Sequence, residues 1–174
     1  MSLLVRKIEK SKWLQNNIID GEDVSADAIT NDMKTNNNTL SFWQIDTETE
    51  INEVILAIVS GGQHLEAIDI VTIDNQQIRD DGINFIPNPE NAMTPVEELK
   101  HRHRDLIELS YPKLGTIACY IVDCFKNGQV INCFKRSQVV RYTRGRLKEI
   151  LIDAIKRDRL DPDCLDEHIR EALK

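Results

Sequence analysis

The chain lacks every linear motif that would announce a chemistry. It has no GxGxxG and no GxxxxGK[ST] to cradle a phosphate, no GxSxG nucleophile elbow and no CxxC pair. No apolar run approaches the ~20 residues of a membrane-spanning helix. The N-terminus carries no apolar core followed by a small-residue cleavage site, so no secretory signal is expected and the cytoplasm is the default address. In that setting the cysteines at 119, 124, 133 and 164, irregularly spaced, are expected to be reduced thiols. No internal repeat is visible.

What is present is enough to fold. At 174 residues and 41% hydrophobic the chain is long enough to bury an ordinary core. Its net charge of −7 hides an asymmetry. Residues 1–98 hold 6 basic against 18 acidic side chains, residues 126–159 hold 10 against 3, and the last fifteen hold 2 against 5. An acidic front is joined to a basic segment.

The clearest architectural signal runs from Thr39 to Asp74. Leu40, Phe42 and Ile45, with Trp43, make an aromatic-rich strand. Thr47 and Glu50 form a capping box that opens a helix. Ile51, Val54, Ile55 and Ile58 then fall on one helical face. Gly61-Gly62 reads as a left-handed helix end, not as a phosphate loop, which would stand before a helix. Ile68, Ile70, Val71 and Ile73 form the near-continuous apolar run of a strand buried on both faces. A crossover of this length implies that the two strands pair in parallel.

Around this unit, LLVRKI reads as a first strand and Ser25 as the cap of a short helix. DNQQIRDDG reads as a helical turn closed by Gly82. INFIPNPENAM is extended, because Pro87 and Pro89 exclude helix and central strand alike. A second capping box at Thr94-Pro95-Val96-Glu97 opens what reads as one kinked helix, or two. Its stripe runs through Val96, Leu99, His103, Leu106, Ser110, Leu114, Ile117, Ile121 and Cys124 to Asn127-Gly128. A short strand at Val130 to Phe134 comes next. A helix capped by Ser137 and carrying Val140, Leu147, Leu151 and Ala154 follows, interrupted by Gly145, and a last helix starts at Asp161-Pro162. The fold class is therefore α+β, or α/β. An acidic α/β part over residues 1–90 holds a small sheet with a β-α-β crossover, and a helical part over residues 91–174 packs on it as one compact unit.

Four groups of residues carry candidate chemistry. Lys135, Arg136, Arg141, Arg144, Arg146 and Lys148 form a basic segment suited to nucleic acid or an acidic partner, with Arg141, Arg144 and Lys148 on one helical face. His101 and His103 are acid–base candidates, although on a helix residues two apart point in nearly opposite directions. Cys164 and His168 are four apart on a helix, half of a metal site with no second pair. Asp69, Asp74, Glu50 and Glu53 suit metal-dependent hydrolysis only with a positioned lysine, which is absent here. No catalytic residue, metal or cofactor is assigned.

These features point to a non-enzymatic interaction module, an adaptor or accessory subunit. It would dock on a protein partner or on a second copy through the long apolar stripe. The alternatives are a nucleic-acid-binding protein that uses residues 135–148, and an enzyme whose site is assembled only in space.

Overall fold

The computed structural model describes residues 2–14, 24–126 and 138–174. Its sheet has six strands: β1 (Leu3–Ile8), β2 (Leu40–Ile45), β3 (Ile68–Asp74), β4 (Phe85–Pro87), β5 (His103–Leu106) and β6 (Gln138–Tyr142), in the order β4-β5-β2-β1-β3-β6. Every neighbouring pair is antiparallel. Among the described residues seven α-helices accompany them: α1 (Lys10–Trp13), α2 (Ala26–Asp32), α3 (Ile51–Ser60), α4 (Asn75–Asp80), α5 (Tyr111–Lys126), α6 (Arg144–Lys156) and α7 (Glu167–Leu173). The fold is mixed α+β.

Strand alternation explains the layering. In β1, Leu3 and Val5 join a core with side chains of α3, α6 and α7, whereas Leu4 and Ile8 face α1, α2, α4 and α5. A strand that is apolar on both sides belongs in the middle of a sheet, and β1 lies there. In β3 all seven positions are buried, as its apolar run requires. Each of its four Ile and Val side chains stabilises the fold by about 1.5–3 kcal/mol.

The crossover is present, but its strands do not pair. β2 and β3 both run antiparallel to β1, so they share a direction with β1 seated between them. The capping box at Thr47 forms, with its backbone N–H donating to Glu50 Oε2 at 3.1 Å. The helix end differs from the expected one. Gly61 has helical angles, φ −86° and ψ 0°. It is glycine because a Cβ there would stand 1.4 Å from the Met93 carbonyl oxygen. Gly82 does take the left-handed conformation, at φ 69°, and closes α4.

The long helix expected from Val96 to Cys124 is three elements. Residues Glu97–Arg102 form a 3₁₀ segment, β5 follows, and α5 begins at Tyr111 with Pro112 in its first turn, where a missing N–H costs nothing. The stripe's large apolar members lie inside the protein's own two cores: Val96 and Leu99 in one, Leu106, Ile117, Ile121 and Cys124 in the other. Leu114, half-buried, packs against the second core. Residues 138–142 are a strand, so the next helix is capped by Thr143, whose hydroxyl accepts from the Arg146 N–H. The C-terminal half thus supplies two strands of the sheet as well as helices. The expected strand at residues 130–134 and the helix-end signals at Asn127-Gly128 and Ser137 lie outside the described residues.

Candidate functional site

The sheet is forked between β1 and β2. Their ladder runs only from Leu3↔Ile45 to Val5↔Trp43. Beyond it β1 continues against β3 to Ile8↔Asp69, and β2 continues against β5 to Leu40↔Leu106. Alternation shows which backbone groups face the gap. The Asn75 N–H donates to Ser2 O at 3.2 Å, so even-numbered residues of β1 bond to β3 and odd-numbered ones face β2. The Asn88 N–H donates to His103 O, also at 3.2 Å, so odd residues of β5 face β4 and even ones face β2. Even residues of β2 therefore face β5, and odd residues face β1. Lys7 and Ser41 would form the next hydrogen-bonded pair, and the ladder stops one pair short of them.

A side chain spans the gap on one face. Arg6 shares its side of β1 with Leu4 and Ile8. It donates through Nε and Nη2 to Asp32 O, at 2.9 and 2.6 Å, and through Nη1 to Ser41 O. Its guanidinium carbon stands 5.5 Å from the centre of the Phe42 ring. Burial lowers the Arg6 pKa to about 10, against the opposing pull of Asp32, so the group stays charged at neutral pH. The Asp32 carboxylate accepts from the Glu9 N–H at 2.8 Å and from Trp13 Nε1 at 2.7 Å, which closes the far end of the fork.

The other face carries a polar cluster built on β5. In a strand, residues two apart share a side, so His103 and Asp105 point the same way. Asp105 accepts from Ser41 Oγ at 2.9 Å, from Asn88 Nδ2 at 2.6 Å and from Asn91 Nδ2 at 3.2 Å. His103 Nδ1 lies 2.8 Å from the Asn88 carbonyl oxygen, an acceptor only, so Nδ1 carries a proton. Its Nε2 is 3.9 Å from Asp105 Oδ1, and its ring meets Trp43 edge-on with centroids 5.2 Å apart. Burial pushes the His103 pKa below the ordinary imidazole value, with Asp105 opposing. The favoured state is a neutral, anchored ring.

Between these faces opens a cleft of about 760 Å³. Its walls include Lys7 and Ser41 from the fork, Gly61 to His64 from the connection between α3 and β3, and Met93. His103 and Asp69 both line it. Asp69 Oδ2 is 3.4 Å from Arg141 Nη1, and its buried Oδ1 has no hydrogen-bond partner among the described residues.

The other candidates are scattered. Lys135 and Arg136 lie outside the described residues. Arg141 is on β6, so it does not share a helical face with Arg144 and Lys148. Arg146 pairs with Glu149 at 3.0 Å, and Lys148 Nζ donates to Ala172 O at 2.9 Å. His101 is exposed, with Nδ1 2.6 Å from Glu98 O. The carboxylates are engaged separately. Asp74 caps α4, Glu50 pairs with Arg102 at 3.0 Å, and Glu53 pairs with Arg159. Arg102 holds the Glu50 carboxyl down at about 2, and Arg159 lowers that of Glu53. His168 meets His64, ring centroids 4.9 Å apart, yet no group of three potential metal ligands forms among the described residues.

Sequence reading missed Arg6, Lys7, Ser41 and Asp105. Arg6 left a signal, a charge in phase with Leu4 and Ile8. The open backbone of Lys7 and Ser41 left none, because it depends on which strands become neighbours. No helix among the described residues is long and apolar enough to cross a membrane. Comparison with protein families, with curated proteins and with solved structures finds no match to this chain.

Proposed function

We propose that the protein is a non-catalytic interaction module, an adaptor or accessory subunit that binds a protein partner at the forked cleft. One contrast supports this reading. His103 and Asp105 are engaged in structural bonds, His103 to Asn88 and Asp105 to Ser41, Asn88 and Asn91, and Asp69 pairs with Arg141 through one oxygen. The backbone of Lys7 and the N–H of Ser41 face the opening and lie outside the β1–β2 register among the described residues. A hydrolytic site needs a base poised on a nucleophile. Here Ser41 instead donates to a carboxylate that Asn88 and Asn91 also hold. Unclaimed backbone hydrogen-bonding groups beside a cleft are, in contrast, what a binding surface offers.

Photo-crosslinking in the cells that make the protein tests this. A benzoylphenylalanine placed at Lys7 or Glu66, both beside the cleft, is expected to trap a discrete protein adduct. The same group at Glu149, exposed on α6, is not. Absence of an adduct from both cleft positions would count against the reading, as would turnover of a substrate lost in His103→Gln.

A further inference from the structure

We infer that the occupant of the cleft is a short extended peptide segment of the partner, which adds as a strand between the splayed ends of β1 and β2. The inference rests on the interaction reading above and specifies the partner's chemistry. Lys7 presents a donor and an acceptor side by side, in the phase of an antiparallel ladder. The complement of that pair is the C=O and N–H of another residue in extended conformation, which is how peptides join open strands. Across the gap, Ser41 offers its N–H, while its carbonyl is already taken by Arg6.

Two further observations locate the segment. The Glu9 N–H, next in phase after Lys7, is satisfied by Asp32, so the insertion is short and ends there. Gly61 brings its backbone against Met93 at the cleft wall, and Met93 is 78% exposed. An exposed methionine beside a cleft supplies an adaptable apolar contact for a side chain of the incoming strand. A small polar metabolite would be recognised by side chains converging on the cleft. The cleft's side chains include one open carboxylate oxygen, Asp69 Oδ1, whereas the gap between the strands is bordered by the backbone of Lys7 and the N–H of Ser41, and a backbone is their match.

The test selects peptides from a random heptamer library on the intact protein and then maps the enriched sequences. Bound peptides are expected to perturb the amide resonances of Lys7 and Ser41 and to slow their hydrogen exchange. N-methylation of the residue that pairs with Lys7 is expected to weaken binding by about tenfold, the size of one lost hydrogen bond. N-methylation two residues beyond the cleft should leave affinity unchanged. Peptides that bind but perturb a different surface would overturn the strand insertion and leave the interaction reading standing. Failure to enrich any peptide, together with no crosslink from the cleft, would overturn both.

Discussion

Replacing Gly61 by alanine sets two physical effects against each other. The backbone at Gly61 has helical angles that alanine adopts freely, so conformational preference alone raises stability by about 1 kcal/mol. Packing opposes this. A Cβ would stand 1.4 Å from Met93 O and 2.5 Å from Met93 C, whereas real Cβ contacts begin near 3.0 Å. The Met93 peptide must therefore retreat, and it is tied in place. The Thr94 N–H donates to Ala92 O at 2.9 Å, the buried Thr94 and Ser60 hydroxyls bond at 3.0 Å, and Val96 N–H donates to Thr94 Oγ1 at 3.2 Å. Losing the buried hydroxyl pair costs about 1–3 kcal/mol, and loosening Val96 and Leu99 in the core adds about 1–2 kcal/mol. The balance is a loss of about 1–4 kcal/mol, or a fall in Tm of about 2–16 °C for a chain of this size. Gly145 in α6 is the control, since a Cβ there meets nothing within 4 Å. Gly145→Ala is expected to stabilise by about 1 kcal/mol. Thermal and urea unfolding followed by circular dichroism compares the three proteins. A Gly61→Ala variant as stable as the parent would refute the packing argument.

Three other outcomes follow from the same geometry. The His103 pKa is depressed in the fold, so on acidification below the ordinary value of 6.5 the unfolded chain gains a proton that the folded chain does not, and stability falls. Glu50, held at about 2 against an ordinary 4.5, adds stability that is lost as the pH falls from 4.5 towards 2. Urea midpoints measured from pH 8 to pH 3 are expected to decline in these two windows, with the upper decline flattened in His103→Gln. Arg159 binds Glu53 through two nitrogens and Glu98 through a third, all partly exposed, so Arg159→Met is expected to cost about 1–2 kcal/mol in urea unfolding. Fluorescence anisotropy with single-stranded RNA and duplex DNA is expected to show no binding at physiological salt. Arg141, Arg146 and Lys148 are engaged within the fold, and tight binding lost on changing Arg141, Arg144 and Lys148 to glutamate would reverse that expectation.

How much was legible in the sequence depended on whether a segment's partners were local. The capping box at Thr47, the face of α3 and the doubly buried β3 are set within a dozen residues, and all were readable. β5 was not. Val96, Leu99, His103 and Leu106 fall at helical spacing by coincidence, and a four-residue strand is too short to show its own period. That error hid the site. On a helix His101 and His103 diverge and Asp105 is unrelated, whereas on a strand His103 and Asp105 share a side and meet Ser41 across the ladder. The parallel pairing failed for a different reason. The length of the crossover constrains the direction of its two strands, but not whether a third strand enters between them. The fork lies between β1 and β2, strands that become neighbours only through that entry, so no local pattern in the sequence marks it.

Amide hydrogen exchange of the ligand-free protein, resolved residue by residue, tests the fork most directly. The amides of Lys7 and Ser41 are expected to exchange at least about 100-fold faster than those of Val5 and Trp43, the last hydrogen-bonded pair of the closed ladder. Protection of Lys7 and Ser41 equal to that of Val5 and Trp43 would mean that the protein satisfies these groups itself, and the cleft would then have no backbone to offer a partner.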